Sequence, residues 1–314
     1  MNRSPVLIRL LDRRTRALKR HIPRAIAGDD VGVHQARVAS RRLREAVPVL
    51  SEGLHGSKAG KAQRKIRKLT QALGTVRELD VALGLIDELD ARQEVPKAAL
   101  ADVRAHVMSE REDRRRVMHE RLEDVNREKL ERRLQSVRDA LAAPSPDHAW
   151  RSALAHRLVT GARRLDHAIT KAGQIYAPEA LHQVRIASKK LRYALEIADE
   201  SRAARCTADL RLMKRVQDAL GRLHDLQVLQ HHVAELDAAP ISRRAAGDPG
   251  LAVLARVIED DCRMLHARYV ALMPALQEAA TRIRREIAVR VTAPRRRPAK
   301  MLLAARRRTA GAAP

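Results

Sequence analysis

Apolar residues recur along this chain at i, i+3, i+4 and i+7, and nowhere is there the sustained apolar-polar alternation that marks a strand. The pattern predicts helices over about 5 to 27, 31 to 51, 58 to 91 and 96 to 141, separated by Gly28 to Gly32, a loop holding Gly53, Gly56 and Gly60, and Val95-Pro96. A second series follows over about 151 to 172, 178 to 199, 202 to 237 and 250 to 290, with breaks at Gly173 to Pro178, near Ser201, and at Pro240 to Gly250. Each series has the form of an up-and-down four-helix bundle.

The two series also match in sequence. VHQARVASRRLREAVPVL at 33 to 50 corresponds to LHQVRIASKKLRYALEIA at 181 to 198, an offset of 148 residues. QALGTVRELDVAL at 71 to 83 corresponds to DALGRLHDLQVL at 218 to 229, pairing Leu73 with Leu220, Gly74 with Gly221 and Glu78 with Asp225. A weaker pair sets VMHERL at 117 to 122 against MLHARY at 264 to 269. Three matches in one order at nearly one spacing indicate a tandem duplication. The reading is therefore all-α: a first four-helix bundle over 1–143, a Ser-Pro-Asp linker at 144–150, and a second bundle over 151–291.

Composition sharpens this. Four aromatics (Trp150, Tyr176, Tyr193, Tyr269) and no Phe leave Leu, Ala, Val and Ile to fill the core. Every apolar run is interrupted by Arg or Lys before it reaches the length of a membrane helix. Met1 to Pro23 reads as the first domain helix, with a transit peptide as the minor alternative. Cys206 and Cys262 are isolated, which fits a reducing cytoplasm. The formal charge is +25, of which seven basic residues fall at 292–314, read as a disordered basic tail; +18 remains for the body.

The distribution of that charge points to an anion. On a helix that takes about 100° per residue, Arg41, Arg37 and Arg44 lie within about 80° of His34, while Ala36, Ala39, Leu43, Ala46, Val47 and Leu50 fall opposite. The copy repeats this with His182, Arg185, Lys189 and Arg192 against Leu191, Leu195 and Ala198; Arg42 and Lys190 flank the two stripes. A merely solvated face usually mixes signs, with acids and bases pairing at i, i+4. Here no acid occurs between Val31 and Arg44 or between Ala180 and Ala194, so the cations repel unless an anion relieves them. Arg64, Arg67 and Lys68, with their copies Arg211, Lys214 and Arg215, add to the set, and Arg116, His119, Arg263 and His266 are candidates to extend it.

Other chemistry is poorly supported. HERLE at 119 to 123 has Glu123 where a zincin helix needs its second His, and His224, His231 and His232 read as surface residues; no metal site and no cofactor is expected. The loop from Gly53 to Lys61 misplaces its first glycine for a phosphate loop and has Ala62 where Ser or Thr should bind magnesium. No serine or cysteine sits in a nucleophile context.

The doubled His-Gln-x-Arg-[Val/Ile]-Ala-Ser-[Arg/Lys]-[Arg/Lys]-Leu-Arg and Ala-Leu-Gly motifs resemble the CHAD family, the conserved histidine α-helical domain, over about residues 5 to 290. The resemblance implies two four-helix bundles related by a pseudo-two-fold axis around a basic surface that binds inorganic polyphosphate. It places the family's basic and histidine positions on His34, Arg37, Arg41, Arg42, Arg44, His182, Arg185, Lys189, Lys190 and Arg192. It also implies a non-catalytic, cytoplasmic protein at polyphosphate granules. Glu110-Arg-Glu112-Asp-Arg114 lacks the lysine of the triphosphate-processing motif that some relatives carry. One departure is Arg77, whose counterpart is His224, so the halves need not contribute equally. The alternative is nonspecific nucleic-acid binding, suggested by charge and a basic tail but not by so few aromatics for base stacking. A polyphosphate-processing enzyme with a histidine acceptor would need a carboxylate cluster for magnesium, and none is evident.

Overall fold

The structure, a computed structural model, describes residues 5–56, 58–123, 125–143, 148–238 and 249–293, without the side chain of Thr75. Among these residues there is no strand. The helices are α1 (Pro5–Ile26), α2 (Asp30–Leu50), α3 (Ala59–Ala72), α4 (Gly74–Arg92), α5 (Lys97–Glu123), α6 (Arg127–Ala142), α7 (His148–Ala172), α8 (Pro178–Glu200), α9 (Thr207–Asp237), α10 (Pro249–Arg282) and α11 (Ala288–Thr292). A π-helical turn, Ile283–Ile287, joins the last two.

The two repeats are not built alike. In the first, the expected third and fourth helices are each broken, giving six helices where the periodicity predicts four. Leu73 and Gly74 interrupt one, whereas their copies Leu220 and Gly221 lie inside the continuous α9. A glycine only weakens a helix, by about 1 kcal/mol, so surrounding packing decides which outcome prevails. The other break is capped: Asn126 accepts the backbone N–H of Lys129 at 2.7 Å, satisfying a donor that would otherwise be orphaned. Met273, 147 residues on, has no capping oxygen, and α10 runs through it.

α1, α2, α3 and α6 pack around one another in a ring, as do α7, α8, α9 and α10. The α4–α5 hairpin leaves the first ring and packs on α9, and α5 also reaches α10. Α direct contact between α2 and α8 brings the two duplicated stripes together. Ion pairs reinforce the junction: Arg42 with Glu196 at 3.2 Å, Arg157 with Glu45 at 3.3 Å, Arg14 with Glu200 at 3.2 Å and Arg92 with Asp261 at 2.9 Å.

The core is built mainly of aliphatic side chains, as the composition requires, with Trp150 and Tyr269 fully buried among them. All six opposed residues of α2 (Ala36, Ala39, Leu43, Ala46, Val47, Leu50) and Leu191, Leu195 and Ala198 of α8 are buried. Gly32 permits the tightest approach: a Cβ there would stand 2.6 Å from Arg24 Cβ and 2.8 Å from the backbone nitrogen of Ala25. Cys206 and Cys262 are buried free thiols, and burial pushes both above the ordinary thiol range. Gly53 and Gly56 sit in turns at positive φ, with no strand before them, which is a glycine turn rather than a phosphate loop. Residues 144–147 of the linker and 294–314 of the basic tail lie outside the described residues.

Candidate anion-binding cleft

Where α2 meets α8, a cleft of about 500 Å³ is lined by His34, Arg37, Arg41 and Arg44 from the first stripe and His182, Arg185, Lys189, Lys190 and Arg192 from the second. Helical spacing along α2 and α8 is what aligns each set, and the buried aliphatic stripe behind it fixes which way the cations face. Two buried serines stiffen the frame in parallel. Ser40 Oγ donates to the carbonyl of Arg37 and Ser188 Oγ to that of Arg185, each at 2.9 Å.

The second duplicated motif adds residues that charge alone did not single out. α4 contributes Arg77 and Glu78, and α9 contributes His224 and Asp225. Asp225 stands 3.8 Å from Arg185, and Glu78 is the acid that acts on Arg37. The His182 and His224 rings tilt against each other at 4.8 Å between centroids, while Arg77 bears on His34 at the equivalent place in the first repeat. The signal for Glu78 and Asp225 was their alignment at one offset in the repeated motif.

Electrostatically the cleft is unbalanced, with eight basic side chains against three carboxylates, Glu45, Glu78 and Asp225. Burial lowers Arg37 to about 10, assisted by Arg41, Arg185 and Arg77 against the pull of Glu78. It lowers Lys189 further, to about 7, with Arg185, Arg41 and Arg37 adding repulsion that Asp225 offsets only in part. Arg185 is lowered mainly by burial and then by Arg41. Burial also holds Asp225 above its ordinary value despite Arg185 and Lys189, and it holds His34 below, with Arg77 and Arg37 acting in the same direction. The Nε atoms of Arg37, Arg41 and Arg185 are buried with no hydrogen-bond partner among the described residues. Unsatisfied donors and repelling cations at one place each cost stability, and an oxyanion removes both costs together.

The remaining candidates are placed elsewhere or are already engaged. Arg42 pairs with Glu196 between α2 and α8 and does not line the cleft; Arg192 binds Glu196 and donates to Gln217 at 2.8 Å. Arg44 pairs with Glu45 at 3.5 Å. Arg64, Arg67, Lys68, Arg211, Lys214 and Arg215 are exposed on α3 and α9, outside the cleft, with Lys214 bound to Asp218 at 2.7 Å and Lys68 beside Lys65 and Arg121 in a separate groove. Arg116 pairs with Asp113 and Arg263 with Glu259, both exposed. His119 opens into a groove between α1, α5 and α6, and His266 packs against Tyr176 and Tyr269. The expectation that His224, His231 and His232 are surface residues is corrected. His224 lines the cleft and burial with Arg185, His182 and Lys189 lowers it to about 4, His232 is buried, and only His231 is exposed. The amphipathic pattern of a helix shared between two partners hides this, because a polar residue can face a second packing surface.

No described helix is long and apolar enough to cross a membrane. A family model described as the CHAD domain matches residues 9–234. No curated protein matches. The chain is similar to the crystal structure of the CHAD domain from the plant Ricinus communis, with a TM-score of 0.58 and 20% identity over 89% of this chain and 92% of that one. It is also similar to PptA from Streptomyces chartreusis, with a TM-score of 0.55 and 18% identity over 87% of this chain and 97% of that one. At such identities the likeness is one of fold.

Proposed function

Because the chain belongs to the CHAD domain family, we propose that it binds inorganic polyphosphate, without catalysis, in the cleft between α2 and α8. The observation that carries this reading is the half-buried set Arg37, Arg41, Arg185 and Lys189, which converges from two duplicated helices with the three arginine Nε donors buried and unpartnered among the described residues and with too few acids to neutralise it. Phosphate oxygens satisfy such donors, and arginine can take them in bidentate fashion. Repetition of the site in two halves suits a polymer, whose successive phosphates meet the first stripe and then the second. In this reading the α1–α2–α3–α6 and α7–α8–α9–α10 groups are two bundles related by a pseudo-two-fold axis that passes near the α2–α8 contact.

Binding is polyvalent: each cation displaces counterions condensed on the polymer, so affinity falls steeply with salt. The shortage of aromatics favours a polymer without bases over a nucleic acid, since base stacking on aromatic side chains is a principal term in single-strand binding. A protein with these properties would collect at polyphosphate granules in the cytoplasm. The test is competition: labelled long-chain polyphosphate bound to the full chain at physiological salt is challenged with unlabelled polyphosphate, tRNA, duplex DNA and ATP. Displacement by polyphosphate at far lower phosphate concentration than by any nucleic acid is the expected result. Equal or better displacement by tRNA or DNA would overturn the assignment.

A further inference from the structure

Beyond the cleft, a second cavity of about 750 Å³ shares Arg37, Arg41, Arg44, Glu78 and His224 with it and ends at Glu110, His231, His232 and Glu235. There α5 crosses α9, and four ligand-type side chains meet, each offering one donor atom within 4.8 Å of all the others: His106, Glu110, His232 and Glu235. We propose that this group is a divalent cation site whose ligand set selects Zn²⁺.

Spacing within the helices presents the ligands in pairs. His106 and Glu110 are four residues apart on α5, and His232 and Glu235 three apart on α9, so each pair shares one helix face. His106 Nε2 lies 3.4 Å from Glu235 Oε2, and His232 Nδ1 lies 3.4 Å from the same oxygen and 3.6 Å from Glu110 Oε2. A tetrahedral ion with ligand distances of about 2.0–2.1 Å requires its donors to be about 3.3–3.4 Å apart. The three contacts therefore already have nearly the edge lengths of that tetrahedron, while being long for strong hydrogen bonds.

An independent feature points the same way. The His232 side chain is only 7% exposed, and its buried Nδ1 has no hydrogen-bond partner among the described residues although it faces two carboxylates. A cation between these groups would give that nitrogen a bond. The carboxylates are held for this geometry, because Arg114 occupies Glu110 Oε1 at 3.1 Å and His231 lies 3.3 Å from Glu235 Oε1. Each therefore turns its Oε2 to the centre. Two imidazoles with two carboxylate oxygens suit zinc better than magnesium, which demands an octahedral shell of oxygens. The sequence concealed the site because its halves lie about 125 residues apart and the duplication does not repeat it: His232 aligns with Gly84 or Leu85.

The full chain, stripped with a chelator, should bind one equivalent of Zn²⁺ saturably and melt at higher temperature with it. Substitution by Co²⁺ should produce the intense visible bands of a four-coordinate ion. The partly exposed ligands are changed conservatively, as His106→Gln and Glu235→Gln, and circular dichroism confirms that both variants remain folded. Each should weaken zinc binding at least about tenfold, in keeping with the sensitivity of metal sites to their ligands. The proposal is overturned by absence of one-to-one binding in the wild type, by a weak six-coordinate Co²⁺ spectrum, or by folded variants that bind zinc as tightly as the wild type.

Discussion

Raising the pH from 7 to 9 should weaken polyphosphate binding about fiftyfold through one side chain, Lys189. In the free protein, burial and the facing charges of Arg185, Arg41 and Arg37 lower Lys189 from its ordinary 10.5 to about 7, with Asp225 opposing. A bound phosphate pairs with the ammonium, replacing the hydration that burial removed and offsetting the facing cations; if this returns the lysine to its ordinary value, binding above pH 7 carries a proton with it. Each pH unit then changes affinity about tenfold well above 7, and the factor shrinks to about twofold between 7 and 6, where the free lysine is already charged. The internal phosphates of a long chain stay ionised throughout, so the polymer does not imitate this profile. Nor does His34, which burial, Arg77 and Arg37 hold below its ordinary value and so outside the 7 to 9 window. The assay is calorimetric titration at fixed ionic strength, in buffers of differing ionisation enthalpy, which counts about one proton taken up per site at pH 8.5 and about half at pH 7. Lys189→Arg keeps the charge and should flatten the profile. A flat wild-type profile from 7 to 9, or a Lys189→Arg variant that keeps the wild-type slope, would refute the reasoning.

The same lysine affects the free protein in the opposite sense. Because its folded value is depressed, its stability penalty is full below pH 7 and fades as pH rises towards 10.5, so Lys189→Met should raise the unliganded melting temperature at pH 6 by the equivalent of about 1–2 kcal/mol and have little effect near pH 10.5. Arg37→Ala with Arg185→Ala should reduce polyphosphate affinity roughly a hundredfold, as loss of two charge-assisted hydrogen bonds implies, and should flatten the logarithmic dependence of affinity on salt, measured by fluorescence polarisation. Gly32→Ala should destabilise the fold by about 1–3 kcal/mol in urea titration while leaving affinity per folded molecule unchanged, since the methyl group would meet α1 rather than the cleft.

The stripes on α2 and α8 were legible because one-sided helical spacing and duplication are both properties of a linear sequence; His34, Arg37, Arg41, His182, Arg185 and Lys189 follow from them directly. What could not be read was the far wall of the cleft. A single helix wheel says which residues share a face, but not which other helix that face meets, so Glu78 and Asp225 appeared only as aligned letters and not as the acids beside Arg37 and Arg185. The same gap explains the misplacement of Arg42: it lies within the one-sign run, yet its partner Glu196 comes from the other repeat. Helix breaks show a different limit. The cap at Asn126 carries a recognisable signal, whereas Leu73-Gly74 and Leu220-Gly221 have the same local sequence and opposite outcomes. There the break follows the packing of the α4–α5 hairpin on α9, a contact between repeats that similarity of one repeat to the other cannot encode. Duplication therefore reveals the features the halves share, and it hides those formed where they meet unequally. Lys189 stands opposite Arg41, not opposite another lysine, so of this pair only the second repeat can release its proton near neutral pH.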